Sequence, residues 1–224
     1  MLAESIVEGL NPEQRTAVET TEGPLLIVAG AGSGKTRVLT HRIAYLIGVC
    51  GIAPESILAV TFTNKAAGEM RERVHKLLGL EAENVWLSTF HSACVRILRR
   101  DIGHLGRSRG FVIYDETDSL GVVKEALRRH GLERGTQEAR RMSWNFDQWK
   151  NKGVLPAEAA ENAADLDAER AAEVYAVYQR LLADANALDF GDLLLQTTLL
   201  FDRFPEVLRH YQRRWQYILV DEYQ

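Results

Sequence analysis

The sequence predicts an α/β fold built on a parallel sheet and interrupted by an all-helical insertion. Three observations carry this. The apolar runs at 25–29, 57–62, 85–89 and 217–220 are continuous rather than alternating, the pattern of strands covered on both faces. Helical patterns follow each of the first three runs, as crossover connections between parallel strands require. From Asp115 to about Ala187 the patterns are helical only.

Taken in order, Leu25–Ala29 reads as a buried strand, followed by a glycine-rich turn and a helix from Lys35 towards Ile47. The second run, 57–62, leads into a helix from about Asn64 to Leu78, and the third into a helix carrying Val95, Ile97 and Leu98. Phe111–Tyr114 is one short extended piece, after which Asp115 is placed to cap a helix bearing Leu120, Val123 and Leu127. Val174, Val177, Tyr178 and Leu181 then share one stripe of a long helix near 168–183. The acidic residues Glu158, Glu161, Asp165 and Asp167 read as a solvated surface. A helix follows Asp189, another opens at Pro205, and Tyr217–Val220 is a last buried-type strand ending in two carboxylates, Asp221 and Glu222.

Composition narrows the class without naming an activity. An apolar share of 46% with 26% charged residues fits a globular protein with a real core. No apolar run approaches the ~18 residues of a membrane span, and the N-terminus has no basic region of the kind that opens a secretory signal. Cys50 and Cys94, the only cysteines, form no metal-ligand cluster, so a reduced, cytoplasmic protein is expected. The net charge of −4 still allows nucleic-acid binding through a local basic groove.

The segment Ala29-Gly30-Ala31-Gly32-Ser33-Gly34-Lys35-Thr36 reads as a P-loop between a strand and a helix. Its glycines let backbone N–H groups turn inward around phosphate oxygens at the positive end of the helix. Lys35 is expected to reach the β- and γ-phosphates and the Thr36 hydroxyl to ligate Mg²⁺. Ala29 stands where the strict pattern has glycine, which is tolerable if its backbone dihedrals are ordinary. Asp221, at the end of an apolar strand, is the second expected Mg²⁺ ligand, and Glu222 the base or water-orienting group.

Five further pieces fall into order around this site: Leu10-Asn11-Pro12-Glu13-Gln14, Val60-Thr61-Phe62-Thr63-Asn64-Lys65-Ala66-Ala67, Ser88-Thr89-Phe90-His91-Ser92, Leu188-Asp189-Phe190-Gly191-Asp192-Leu193-Leu194 and Val220-Asp221-Glu222-Tyr223-Gln224. With the P-loop, this series resembles the N-terminal half of superfamily I DNA helicases of the UvrD/PcrA/Rep group. The resemblance implies a RecA-like ATP-binding domain over 1–108 and 188–224, and an insertion of the family's 1B type over 109–187. It implies ATP and Mg²⁺ as cofactors and ATP-driven 3′→5′ movement on single-stranded DNA and at its junctions with duplex. Arginines of a second RecA-like lobe are implied at the γ-phosphate. Without that lobe, the expectation for these 224 residues is weak ATP and DNA binding and no unwinding.

The resemblance also assigns side chains. Gln14 would read adenine, although Asn11-Pro12-Glu13-Gln14 reads equally as a capping box. Arg37 would lie along the nucleotide or simply on the surface, and Gln224 joins the catalytic set of Lys35, Asp221 and Glu222. Phe62, Thr63, Asn64, Thr89 and His91 would meet DNA. Against this, Phe62 also reads as core, Asn64 as a helix cap and His91 as a structural histidine. Arg96, Arg99, Arg100, Arg107 and Arg109 would meet phosphates or form a solvated face. Two other classes fit the P-loop less fully: a small-molecule kinase, and a non-catalytic fragment that docks DNA or a protein.

Overall fold

The computed structural model describes residues 2–132 and 135–223, so Gln224, expected in the catalytic set, lies outside the described residues. In chain order the elements are α1 (Leu2–Val7), α2 (Pro12–Glu19), α3 (Lys35–Gly48), β1 (Ile57–Thr61), α4 (Asn64–Leu78), β2 (Trp86–Thr89) and α5 (Phe90–Asp101). There follow β3 (Val112–Ile113), α6 (Glu116–Arg129), α7 (Thr136–Asn151), α8 (Pro156–Glu161), α9 (Leu166–Asp184) and β4 (Ala187–Leu188). The chain ends on α10 (Phe190–Arg203), α11 (Pro205–Arg214) and β5 (Tyr217–Val220). It divides into two compact units, one of residues 1–93 and 209–224, the other of residues 94–208.

The first unit holds a parallel sheet of order β2-β1-β5. β1 is central and buried along its whole length, as its unbroken Ile-Leu-Ala-Val-Thr run requires. Thr61 pairs with Thr89 and Val60 with Val220, so the C-terminal ends of all three strands share one edge. Ile43 and Leu46 of α3, and Met70 and Val74 of α4, close the core with Ile57, Leu87 and Leu219. Trp86 and Trp215 meet edge to face at 4.9 Å, a favourable geometry for two aromatic quadrupoles.

Two sequence expectations fail here. Leu25–Ala29 forms no strand; Leu26 is 68% exposed and Val28 88%. An apolar run states a preference for burial but does not by itself supply a ladder partner, and the outer edge of β5 stays unpaired. The second failure concerns β5, read as a buried-type strand. It pairs on one side only, and Ile218 is 62% exposed.

The second unit is mostly helical. Val123, Leu127, Met142, Phe146, Tyr175 and Tyr178 form its core, with Phe146 stacked on Tyr175 at 5.0 Å. Val174 and Tyr178 are buried and Val177 and Leu181 pack against them, as the expected stripe on α9 requires. Asp115 and Asp189 each close a capping box, at the starts of α6 and α10. The extended piece at 111–114 becomes β3, whose Val112 pairs in parallel with Ala187 of β4. Of the arginines read either as phosphate contacts or as a solvated face, Arg99, Arg100 and Arg107 have partners inside this unit, Arg100 with Asp101 at 3.8 Å. Arg99 donates to the Arg109 carbonyl at 2.7 Å with its guanidinium 3.9 Å from the Phe111 ring centre, and Arg107 donates to the Ala187 carbonyl at 2.9 Å.

Candidate functional site

The glycine-rich loop enters α3 through two left-handed residues, Gly32 at φ 77° and Gly34 at φ 85°. A side chain at Gly34 would be strained by its φ, and its Cβ would stand 2.9 Å from the Gln14 amide nitrogen. Among the described residues the non-glycine positions with positive φ are Asn186 and Glu222, so Ala29 has no conformational need of glycine. The loop is closed on itself by side chains. Lys35 Nζ donates to the carbonyls of Ala29 at 3.0 Å and Gly30 at 3.2 Å, and Ser33 Oγ donates to Gly30 at 2.7 Å.

Gln14 does two things at once. It closes the capping box of α2, its Oε1 accepting from Asn11 N at 3.1 Å while its own N–H donates to Asn11 Oδ1 at 2.8 Å. Its Nε2 then reaches across 19 residues of sequence to the Ser33 carbonyl at 2.9 Å. The helix-cap reading is realised, and the same side chain lies against the glycine-rich loop. Arg37 is exposed, with its guanidinium 3.1 Å from where a Cβ on Gly9 would stand.

Asp221 continues β5 by one residue, its N–H donating to the Val60 carbonyl at 2.9 Å. Its carboxyl is pushed above the ordinary aspartate range by burial and by the neighbouring Glu222 charge. The Lys35 ammonium acts in the opposite direction. Glu222 adopts φ 59°, a left-handed conformation rare for a residue with a side chain and characteristic of constrained functional turns.

The strand edge that carries Asp221 also carries aromatic groups. Phe62, directly after β1, is 76% exposed, which excludes the core reading. Thr63 is the N-cap of α4, its Oγ1 accepting from Ala66 N at 3.1 Å, so the cap expected at Asn64 lies one residue earlier. Thr63 has extended dihedrals, whereas Asn64 is already helical; both residue types cap well, and only the backbone separates them. Thr89, the last residue of β2, is buried, and its hydroxyl caps α5 by accepting from Ser92 N at 3.2 Å and donating to Ser92 Oγ at 2.9 Å. His91 is half-buried, and burial lowers its pKa, which favours the neutral ring. Phe90, which the sequence reading left out, is exposed on the same edge, as is Tyr223. The signal for Phe90 was its place inside the Thr-Phe-His-Ser run.

Residues 10–224 match the UvrD/REP helicase N-terminal domain family. The chain is similar to the ATP-dependent DNA helicase PcrA of Staphylococcus aureus, at 52% identity over 220 residues, covering 98% of this chain and 30% of that protein. It is similar to the PcrA of Bacillus subtilis at 51% over 223 residues, again 30% of that protein, and to that of Staphylococcus epidermidis at 51% over 220 residues.

Proposed function

Because the chain belongs to the UvrD/REP helicase N-terminal domain family, we propose that it is the nucleotide-binding portion of an ATP-dependent DNA helicase. It spans about 30% of the length of the relatives it matches, so the whole activity belongs to this proposal: ATP-driven 3′→5′ movement along single-stranded DNA, with unwinding at junctions. The fold reading is a RecA-like domain over 1–108 and 188–224 with a helical insertion over 109–187, working with a second RecA-like lobe in the cytoplasm. In support, no helix among the described residues is long and apolar enough to cross a membrane, and both cysteines are free.

The observation that supports the reading is the geometry of the glycine loop: left-handed Gly32 and Gly34 lead into α3 with Lys35 folded onto the Ala29 and Gly30 carbonyls. Lys35 meets neutral carbonyls in the loop, and an ionised phosphate oxygen is the stronger acceptor, so nucleotide draws the ammonium onto the β- and γ-phosphates. Backbone N–H groups of the loop would hold the same phosphates at the start of α3.

Mg²⁺ fits the donor set, because it is bound by one or two carboxylates together with substrate phosphates rather than by an all-protein cage. Among the described residues no three acidic, His or Cys side chains gather into such a cage. Thr36 and Asp221 would hold the ion, which supplies charge neutralisation to the phosphates. Glu222 orients the attacking water, and Gln224 is proposed to act with it. Gln14 reads adenine by exchanging its bond to Ser33 for one to the base, and Arg37 flanks the nucleotide. Phe62 stacks on a DNA base, Thr63, Asn64 and His91 contact the strand beside it, and Thr89 fixes the turn that presents His91.

The test is calorimetric titration of Mg·ATP into the chain and into Lys35→Ala. Binding in the parent and its loss in the variant is the expected result. Equal binding by both removes the P-loop from the reading.

A further inference from the structure

The helix α7 has two faces of different character. Ala139, Met142, Phe146 and Lys150 are its buried stripe. On another face Arg141, Trp144, Asn145, Gln148 and Lys152 follow at helical spacing and line a cavity of about 390 Å³. That size lies near the small end of the roughly 300–1,000 Å³ typical of ligand sites. The opposite wall is the start of α9, where Ala168 and Ala171 replace bulk with space. Trp149 lies at the inner side, tied to the core through Tyr175 at 5.4 Å between ring centres. Trp144 lines the same cavity yet is 62% exposed, a large apolar ring held in water.

We propose that this cavity receives an unpaired base of single-stranded DNA, stacked on Trp144, with the adjoining phosphate on Lys152. The inference rests on the reading that the chain acts on single-stranded DNA. It adds a contact region in the helical unit that neither the sequence motifs nor the strand-edge aromatics account for.

The chemistry selects this occupant. A flat indole beside two alanines leaves a slot for another flat ring, and every base offers a π-face. Asn145 and Gln148 each carry a donor and an acceptor, so their amides can match any base edge. A duplex keeps its bases stacked inside and cannot enter the slot. Arg141 is paired with Glu138 at 2.7 Å and Asp167 lines the cavity, so charge adds little for any polyanion. Stacking therefore carries most of the binding, and Lys152 adds one phosphate contact.

The experiment uses the whole chain with a short fluorescent oligo(dT) in an anisotropy titration, with circular dichroism to show that each variant is folded. Trp144→Ala is expected to bind roughly tenfold more weakly, and Trp144→Phe to recover most of the loss, as stacking predicts. Lys152→Ala is expected to lower the salt slope by roughly 0.7, one counterion on a single strand. Photo-crosslinking with 5-iododeoxyuridine in the oligonucleotide is expected to mark the peptide that holds Trp144.

If Trp144→Ala binds like the parent while Phe62→Ala binds weakly, the cavity is not a DNA site and the strand-edge reading stands. If the parent binds no oligonucleotide but does bind Mg·ATP, both DNA assignments fall and the nucleotide site survives. Binding of poly-glutamate that depends on Trp144, with none of oligo(dT), replaces the proposal with a peptide site.

Discussion

The Lys150 ammonium lies 2.8 Å from the Asp192 carboxylate, with both side chains withdrawn completely from solvent. The same ammonium pairs with Asp189, which also accepts from the Tyr178 hydroxyl at 2.5 Å, and Gln179 donates to Asp192 at 2.9 Å. One cation thus stands between two buried carboxylates and ties α7 to the start of α10. Burial alone would raise the Asp189 pKa, but Lys150 and Tyr178 outweigh it and hold that carboxyl below the usual range. Burial raises Asp192.

Replacing Lys150 by Met strands both carboxylates without their cation, and breaking such a pair costs about 3–5 kcal/mol. The pH dependence has a definite sign. In the parent, the Asp189 contribution is present above the ordinary aspartate pKa and is lost as pH falls through its lowered folded value. In Lys150→Met both carboxyls are raised, so the folded state binds more protons than the unfolded chain and stability falls as pH rises. Urea unfolding at pH 5 and pH 8 is expected to show the larger deficit at pH 8. Equal deficits at the two pH values would mean that the cluster carries no such charge coupling.

Gln14→Glu separates the two roles of Gln14. A carboxylate still accepts from Asn11 N, so the capping box survives, but it cannot donate to the Ser33 carbonyl or to an adenine edge. Stability is expected to stay within ~0.5 kcal/mol of the parent, while preference for ATP over GTP is lost. Retained preference in competitive nucleotide titrations would reduce Gln14 to a helix cap.

What could be read in advance followed from how local each signal is. The glycine-rich turn into α3 was legible because a left-handed Gly34 next to Lys35 and Thr36 is a contiguous requirement. The capping boxes at Asp115 and Asp189 each need only a four-residue window, although only the first cap was read in advance. The Lys150–Asp189 pair was not legible, since it joins side chains 39 residues apart with no shared motif. The exposure of Leu26 and Val28 was hidden for a related reason: hydropathy is a property of the run, whereas pairing is a property of a neighbour elsewhere in the chain.

Phe62→Ala is expected to lower affinity for single-stranded DNA by about 1–3 kcal/mol, the usual contribution of one stacked base. At 76% exposure the ring has little packing to lose, so thermal stability is expected to change by less than ~0.5 kcal/mol. A large drop in melting temperature with unchanged DNA affinity would reverse the assignment and make Phe62 a packing residue.

Asp221 offers the test of the proposed Mg²⁺ site. Its carboxyl is raised by burial and by Glu222, so it keeps its proton to higher pH than an exposed aspartate, and a protonated carboxyl is a poor ligand for Mg²⁺. The dependence of ATP affinity on Mg²⁺ is therefore expected to strengthen as pH rises through that elevated value. Asp221→Asn removes both the charge and the titration. It is expected to bind ATP with little response to Mg²⁺ at any pH, while its folded state, relieved of a buried charge, is at least as stable as the parent above neutral pH. Calorimetric titrations with and without Mg²⁺ across pH 5–8 would decide the matter. An Asn variant with the parent's Mg²⁺ response would move the metal ligand elsewhere along the edge that ends β5.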